Sequence, residues 1–202
     1  MKLRKLLKIT GRTSSVTNSF VQSIIPGIVP SVKDFEIALT VLGMSHDHIV
    51  CAYCGADASD WDHLRPLVRS KRPTGYIHEI RNLVPSCGRC NQSKGASNWR
   101  KWIVGSAPGS PKTRGIAIED RIASLERFEA WGKVEPLDLR SMAGAAIWDL
   151  HWENLSAIEA KMHEAQRLAA TIQEAIATAM RERGESPTFP SAPAAIETST
   201  AG

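Results

Sequence analysis

Apolar residues recur every three or four positions in two regions of the chain, and the stretch between them breaks into short apolar runs punctuated by glycine, proline and cysteine. In the first region Val32, Phe35, Ala38, Val41 and Leu42 share one helical face. Ser31 stands where a cap belongs, Asp34 can reach back to it, and Gly43 supplies the stop, so a helix is predicted from 32 to about 42. Segments 49–52, 59–63 and 81–85 read as short strands, and 64–80, with Pro66, Pro73 and Gly75, as a long irregular loop. A short helical turn is expected after Cys90, then a helix capped by Ser97. Trp99 and Trp102, three apart on that helix, read as core residues.

Residues 105–115 are rich in Pro, Gly and Ser and read as a linker. Beyond them Ile118, Ile122, Leu125 and Phe128 form a stripe that ends at Gly132 and Pro136. A longer helix follows over 143–183. Its Leu155, Ile158, Met162, Ala165, Ala169, Ile172 and Ile176 alternate steps of three and four like a coiled-coil seam, which pairs either with the preceding helix or with a second copy of the chain. The tail 184–202, with its prolines, serines, threonines and alanines, reads as disordered. The predicted class is α+β and mostly helical.

Composition changes the picture in three places. The longest early apolar stretch, 20–32, is interrupted by Pro26 and Pro30, and nothing approaches the roughly 18 apolar residues of a membrane span. The basic start, 1–8, has no continuous apolar core and no small-residue cleavage site, so no export signal is read there and a cytoplasmic protein is expected. Finally, the net charge of +4 conceals an asymmetry: residues 1–115 carry +10 and residues 116–202 carry −6. A polyanion such as nucleic acid would sit on the first part.

The four cysteines form two C-x-x-C pairs, Cys51 with Cys54 and Cys87 with Cys90. Two close pairs of thiolates can close a tetrahedron around zinc, and without an export signal disulfides are disfavoured. Four thiolates leave no open coordination position, so such a zinc is structural. His46 and His48, just before the first pair, could compete as zinc ligands but are unnecessary beside four thiolates, and His151 and His163 read as ordinary helix residues.

Between the pairs lies Trp61-Asp62-His63-Leu64-Arg65-Pro66, and Asn91 directly follows the last cysteine. A zinc drawing the two pairs together brings Asn91 toward the strand that carries Asp62 and His63. A carboxylate and an amide oxygen are hard donors suited to Mg2+, and His63 is left as a general base for water. Each residue also has a plainer role available: Asp62 and His63 as a surface pair, Asn82 as a bridge between backbone groups, Asn91 as a helix cap, and His78 as a solvated or phosphate-contacting side chain or a substitute for His63.

The ordered set Cys51-x-x-Cys54, Asp62-His63-x-x-Pro66, Asn82-Leu83-Val84 and Cys87-x-x-Cys90-Asn91-x-x-Lys94-Gly95 resembles the HNH endonucleases of the ββα-metal superfamily, over about a quarter of the chain, 48–102. The resemblance implies a ββα-metal core with a four-cysteine zinc site, flanked by an N-terminal helix and long C-terminal helices. It implies that His63 is the general base and that Asn82 positions the base and its loop. Asp62 and Asn91 would then be the protein ligands of one catalytic cation, Mg2+, Mn2+ or another divalent ion, in the branch with Asn in the third position. The implied products are 5′-phosphate and 3′-hydroxyl ends. Arg69, Lys71, Arg72, Arg89 and Lys94 are the expected phosphate contacts.

The expected organisation is a basic segment (1–30), a zinc-stabilised nuclease domain (31–104), the linker (105–115), a helical accessory region that can serve dimerisation (116–183) and the tail (184–202). A DNA-cleaving enzyme of restriction or defence type is the reading. The alternatives are a zinc-ribbon module that binds nucleic acid without cutting it and a helical interaction protein.

Overall fold

The computed structural model describes residues 7–189. The chain divides into two compact units, one formed by Met1–Phe20 with Ala145–Gly202 and the other by Val21–Gly144.

In the first unit a 3-10 turn (Ile9–Arg12) leads into α1 (Thr13–Gln22), whose last two residues belong to the second unit. Both pack on α7 (Ala145–Glu182). The Ile9 amide donates to Gln166 Oε1 (2.8 Å), and the Thr17 hydroxyl to Glu159 Oε1 (2.8 Å). His151 reaches the Phe20 carbonyl (3.0 Å) and stacks on the rings of Phe20 and Trp152. The seam expected along α7 is thus divided: Leu155 is buried, but Ile158, Ile172 and Ile176 remain 41%, 52% and 45% exposed. The helix found against α7 in this unit is the N-terminal one, which a scan for heptads alone does not reveal.

In the second unit α2 (Val32–Val41) starts at the expected capping box: Ser31 Oγ accepts from the Asp34 amide (3.2 Å) and Asp34 accepts from the Ser31 amide (2.8 Å). It ends in a Schellman motif. Gly43, with φ +75°, lets its own amide reach the Thr40 carbonyl (2.9 Å) while Met44 reaches that of Leu39 (2.8 Å). Val32, expected on the apolar face, is 76% exposed, and Leu39 takes its place in the core.

β1 (Asp60–His63) pairs antiparallel with β4 (Leu83–Ser86), setting Asp62 opposite Val84 and His63 opposite Leu83. The expected loop between them contains a further hairpin, β2 (Val68–Arg69) against β3 (Arg72–Pro73). Its turn residues Ser70 and Lys71 both have positive φ (50° and 59°), the two-residue turn that suits the twist of the strands. The segment expected as a strand at 49–52 makes only a bridge, Val50 with Asp57, around the first cysteine pair.

α3 (Gly88–Lys94) follows β4, and α4 (Trp99–Ile103) is capped by Asn98 rather than Ser97: Asn98 Oδ1 accepts from the Lys101 amide (3.2 Å). Trp99 and Trp102 are buried, as expected of core residues. The chain then forms α5 (Glu119–Trp131) and α6 (Leu139–Ala143).

Residues 105–115 lie inside the second compact unit. Leu125 and Phe128 of α5 are fully buried in one cluster with Leu39, Leu42, Tyr53, Leu64 and Trp99, and Ser124 Oγ donates to the Leu42 carbonyl (2.7 Å). Residues 105–131 therefore complete the core begun by α2. The expected tail lies largely outside the described residues, as does the start of the basic N-terminal segment. Among the described residues no helix is long and apolar enough to cross a membrane.

Candidate active site

The two cysteine pairs come together. The first sits on a knuckle closed by the Cys51 amide to the Ala56 carbonyl (2.7 Å) and the Gly55 amide to the Cys51 carbonyl (2.8 Å), with Gly55 at φ +77°. The knuckle is tied to the end of β4 by the Ala52 amide on the Pro85 carbonyl (2.8 Å), so it faces Cys87 and the first turn of α3. All four thiols are free, and their sulfurs lie within 4.8 Å of one another. Cys54 Sγ and Cys87 Sγ are 3.8 Å apart. A tetrahedral zinc with bonds of about 2.3 Å requires sulfur edges of about 3.8 Å, so donors and spacing fit that ion. Hydrogen bonding from Cys90 pulls the Cys51 thiol down to about 5, whereas burial pushes Cys54 up. Four coexisting thiolates need a cation among them.

β1 and α3 carry the next candidates, and Asn82 ends a 3-10 turn (Ile80–Asn82) just before β4. Asp62 is buried, and its Oδ2 accepts from the Tyr53 hydroxyl (2.6 Å) and from Lys94 Nζ (2.9 Å). Burial raises the Asp62 carboxyl above its ordinary value, against the pull of Lys94 and Tyr53, and lifts the Tyr53 phenol well above its own. Lys94, expected to grip phosphate, is only 1% exposed: its ammonium points inward to Asp62 and to the His63 carbonyl (2.8 Å). It is a scaffold for β1. Asn91 lies one turn before Lys94 on α3 and is half-buried.

His63 ends β1, and the chain beyond it is held by Asn82. This asparagine is fully buried. Its Oδ1 accepts from the Arg65 amide (2.8 Å) and its Nδ2 donates to the Arg65 carbonyl (3.0 Å), while the Leu64 amide donates to the Asn82 carbonyl (2.8 Å). Both edges of the strand end are thus fixed, by Asn82 on one side and Lys94 on the other. Burial, followed by the neighbouring His78 and Lys94, holds the His63 imidazole down to about 4, so it is neutral at physiological pH. His63 Nε2 and His78 Nδ1 lie 2.9 Å apart. The loop bearing His78 is pinned by its amide on the Pro26 carbonyl (3.1 Å) and by the Ile28 amide on its own carbonyl (2.8 Å). Proximity in space, absent from sequence spacing, is what brings His78 into the site.

Arg69, Lys71, Arg72 and Arg89 are exposed, three of them on the β2–β3 hairpin. Arg72 Nη1 donates to the Lys71 carbonyl (3.0 Å) and braces the turn. Arg65, also in the cationic loop, is turned inward to the Glu129 and Gly132 carbonyls. His46 and His48 are exposed and take no part in the cysteine cluster.

Two short antiparallel strands followed by a helix, with Asp-His at the end of the first strand and a cysteine cage beside the helix, define a class. Residues 51–97 match the model of the HNH endonuclease family. Over 122 residues the chain is 27% identical to the CRISPR-associated endonuclease Cas9 of Corynebacterium diphtheriae, an alignment covering 48% of this chain and 10% of that protein. The chain thus spans about a tenth of that relative's length. No solved structure matches.

Proposed function

We propose that this protein is a divalent-metal-dependent endonuclease that hydrolyses DNA phosphodiester bonds, with zinc in the cysteine cage and a restriction or defence role. The observation that carries the reading is a neutral His63 imidazole on a strand end clamped from both sides, next to a buried carboxylate whose orientation is set by two hydrogen bonds. A binder of nucleic acid has no use for a base prepared in this way. The HNH match and the likeness to a CRISPR-associated endonuclease support the same chemistry.

In this reading His63 accepts a proton from water as the water oxygen bonds to phosphorus. The bond from phosphorus to the 3′-oxygen breaks and that oxygen takes a proton from solvent, leaving a 5′-phosphate and a 3′-hydroxyl. Asn82 and Lys94 keep the imidazole in place by fixing the backbone on either side of it. Asp62 and Asn91 would hold Mg2+ or Mn2+, since a carboxylate and an amide oxygen are hard donors. The ion would supply charge stabilisation to the phosphoryl and departing oxygens. Arg69, Lys71, Arg72 and Arg89 steer and grip the phosphate backbone. The exposed Leu168, Ile172 and Ile176 of α7 support pairing of two copies, which would present two active sites to a duplex.

Incubating the protein with supercoiled plasmid in chelator, Mg2+, Mn2+ or Ca2+, and then sequencing the ends, tests this. The reading expects Mg2+- or Mn2+-dependent cutting with 5′-phosphates. DNA bound but uncut under every condition would replace it with the binding-module alternative.

A further inference from the structure

The segment 105–115 is far more ordered than a connection between helices requires. Ser110 is fully buried: its hydroxyl donates to the Gly105 carbonyl (2.7 Å) and lies 2.9 Å from the Thr113 hydroxyl. Pro111 is buried too, and Gly115 closes the 3-10 turn Lys112–Arg114 at φ +70°. Gly109 lies so close to α3 that a Cβ there would meet Ser93 at 2.5 Å, and Ser93 in turn accepts from Trp102 Nε1 (3.0 Å). The strap is therefore locked to α3, which carries Cys90, and through Ser93 to α4. What it presents from that position is Arg114, whose Nη1 lies 3.3 Å from Cys90 Sγ and 3.4 Å from the Gly109 carbonyl.

We infer that Arg114 is a positioning residue of the metal centre, donating an N–H hydrogen bond to the Cys90 sulfur and offsetting the charge of the cage. The inference rests on the zinc reading above. Zn2+ with four thiolates carries two net negative charges, and Cys51 and Cys90 are fully buried, where such charge is poorly solvated. One guanidinium halves the excess, and its hydrogen bond draws electron density from the Cys90 sulfur, making it a weaker base and the metal harder to strip by proton or chelator. A second cation lies close by, since a Cβ on Gly55 would meet the Arg121 guanidinium at 2.5 Å. Arg121 touches the knuckle backbone, and Arg114 touches the Cys90 sulfur.

The test uses the full chain, loaded with zinc or with cobalt as a spectroscopic stand-in. Arg114→Met is expected to weaken zinc retention against a chromophoric chelator by about 10- to 100-fold. It should also move the sulfur-to-cobalt charge-transfer bands to lower energy. Arg114→Lys, which keeps the charge, should fall between Arg114→Met and the parent and guards against a Met variant that fails to fold. Thr113→Ala, which loosens the strap but keeps the guanidinium, should leave the bands in place. Wild-type bands and zinc retention in both Arg114 variants would overturn the inference. So would an Arg114→Lys or Arg114→Met protein that differs from the parent only as Thr113→Ala does. A parent protein that carries no zinc would instead overturn the zinc reading on which the inference stands.

Discussion

A lysine ammonium excluded from water needs a partner, and in this protein Lys94 and Asp62 serve each other. The pair is buried, with the Tyr53 hydroxyl as third member, and both contacts fall on Asp62 Oδ2. Replacing Lys94 with Met leaves the carboxylate buried without its cationic partner, a loss expected to be about 3–5 kcal/mol of stability, read as a lower urea midpoint. His63 makes a second prediction. Its folded value, about 4, is below the 6.5 of an exposed imidazole, so between those limits the unfolded chain binds the extra proton. Stability tied to this group is complete above pH 6.5 and is lost as pH falls toward 4. Urea midpoints measured from pH 7 to pH 4.5 should fall more steeply for the parent than for His63→Gln. Neither feature is legible in the sequence. Lys94 in an N-x-x-K-G run looks like a surface cation until the carboxylate under it is located, whereas Asp62, His63 and Asn91 stand out because their types and order already suggest the chemistry.

At the scale of elements, legibility follows how local the causes are. The capping box of α2 and its Gly43 stop involve residues within five positions of one another and are read directly. Asn98 and Ser97 are neighbouring residues of cap-forming type, and composition does not choose between them. The segment 105–115 has a linker's composition, but Gly, Pro and Ser also build a strap pressed against a helix, and only the contact of Gly109 with Ser93 separates the two. The β2–β3 hairpin is a further element that the loop reading missed, because Ser70 and Lys71 lack the glycine that usually marks positive φ. Its exposed cations make it the proposed phosphate grip. Changing Arg69 and Lys71 together to Gln should weaken DNA binding at all sequences and reduce the slope of log affinity against log salt by up to about 2, measured by fluorescence anisotropy over a salt series.

Across the whole molecule, the doubled cysteine motif and the helical class are apparent in the sequence, and the extent of the compact unit is not. A stripe such as Ile118, Ile122, Leu125 and Phe128 announces a buried face without naming what buries it, and here it is the core containing α2, Tyr53 and Trp99. The consequence is testable by truncation. A fragment spanning 21–144 should unfold cooperatively in urea, whereas one ending at 115 loses the fully buried Leu125 and Phe128 and should show no cooperative transition. Cooperative unfolding of the shorter fragment would show that α5 is an accessory.

The most direct test of the central claim, that His63 is the base of a metal-assisted nuclease, compares the parent with His63→Ala on supercoiled plasmid in Mg2+. Zinc content and DNA affinity are measured on the same preparations. A fall in cutting of at least about 100-fold, with zinc and affinity unchanged, is the predicted result. Equal cutting rates for the two proteins would contradict it.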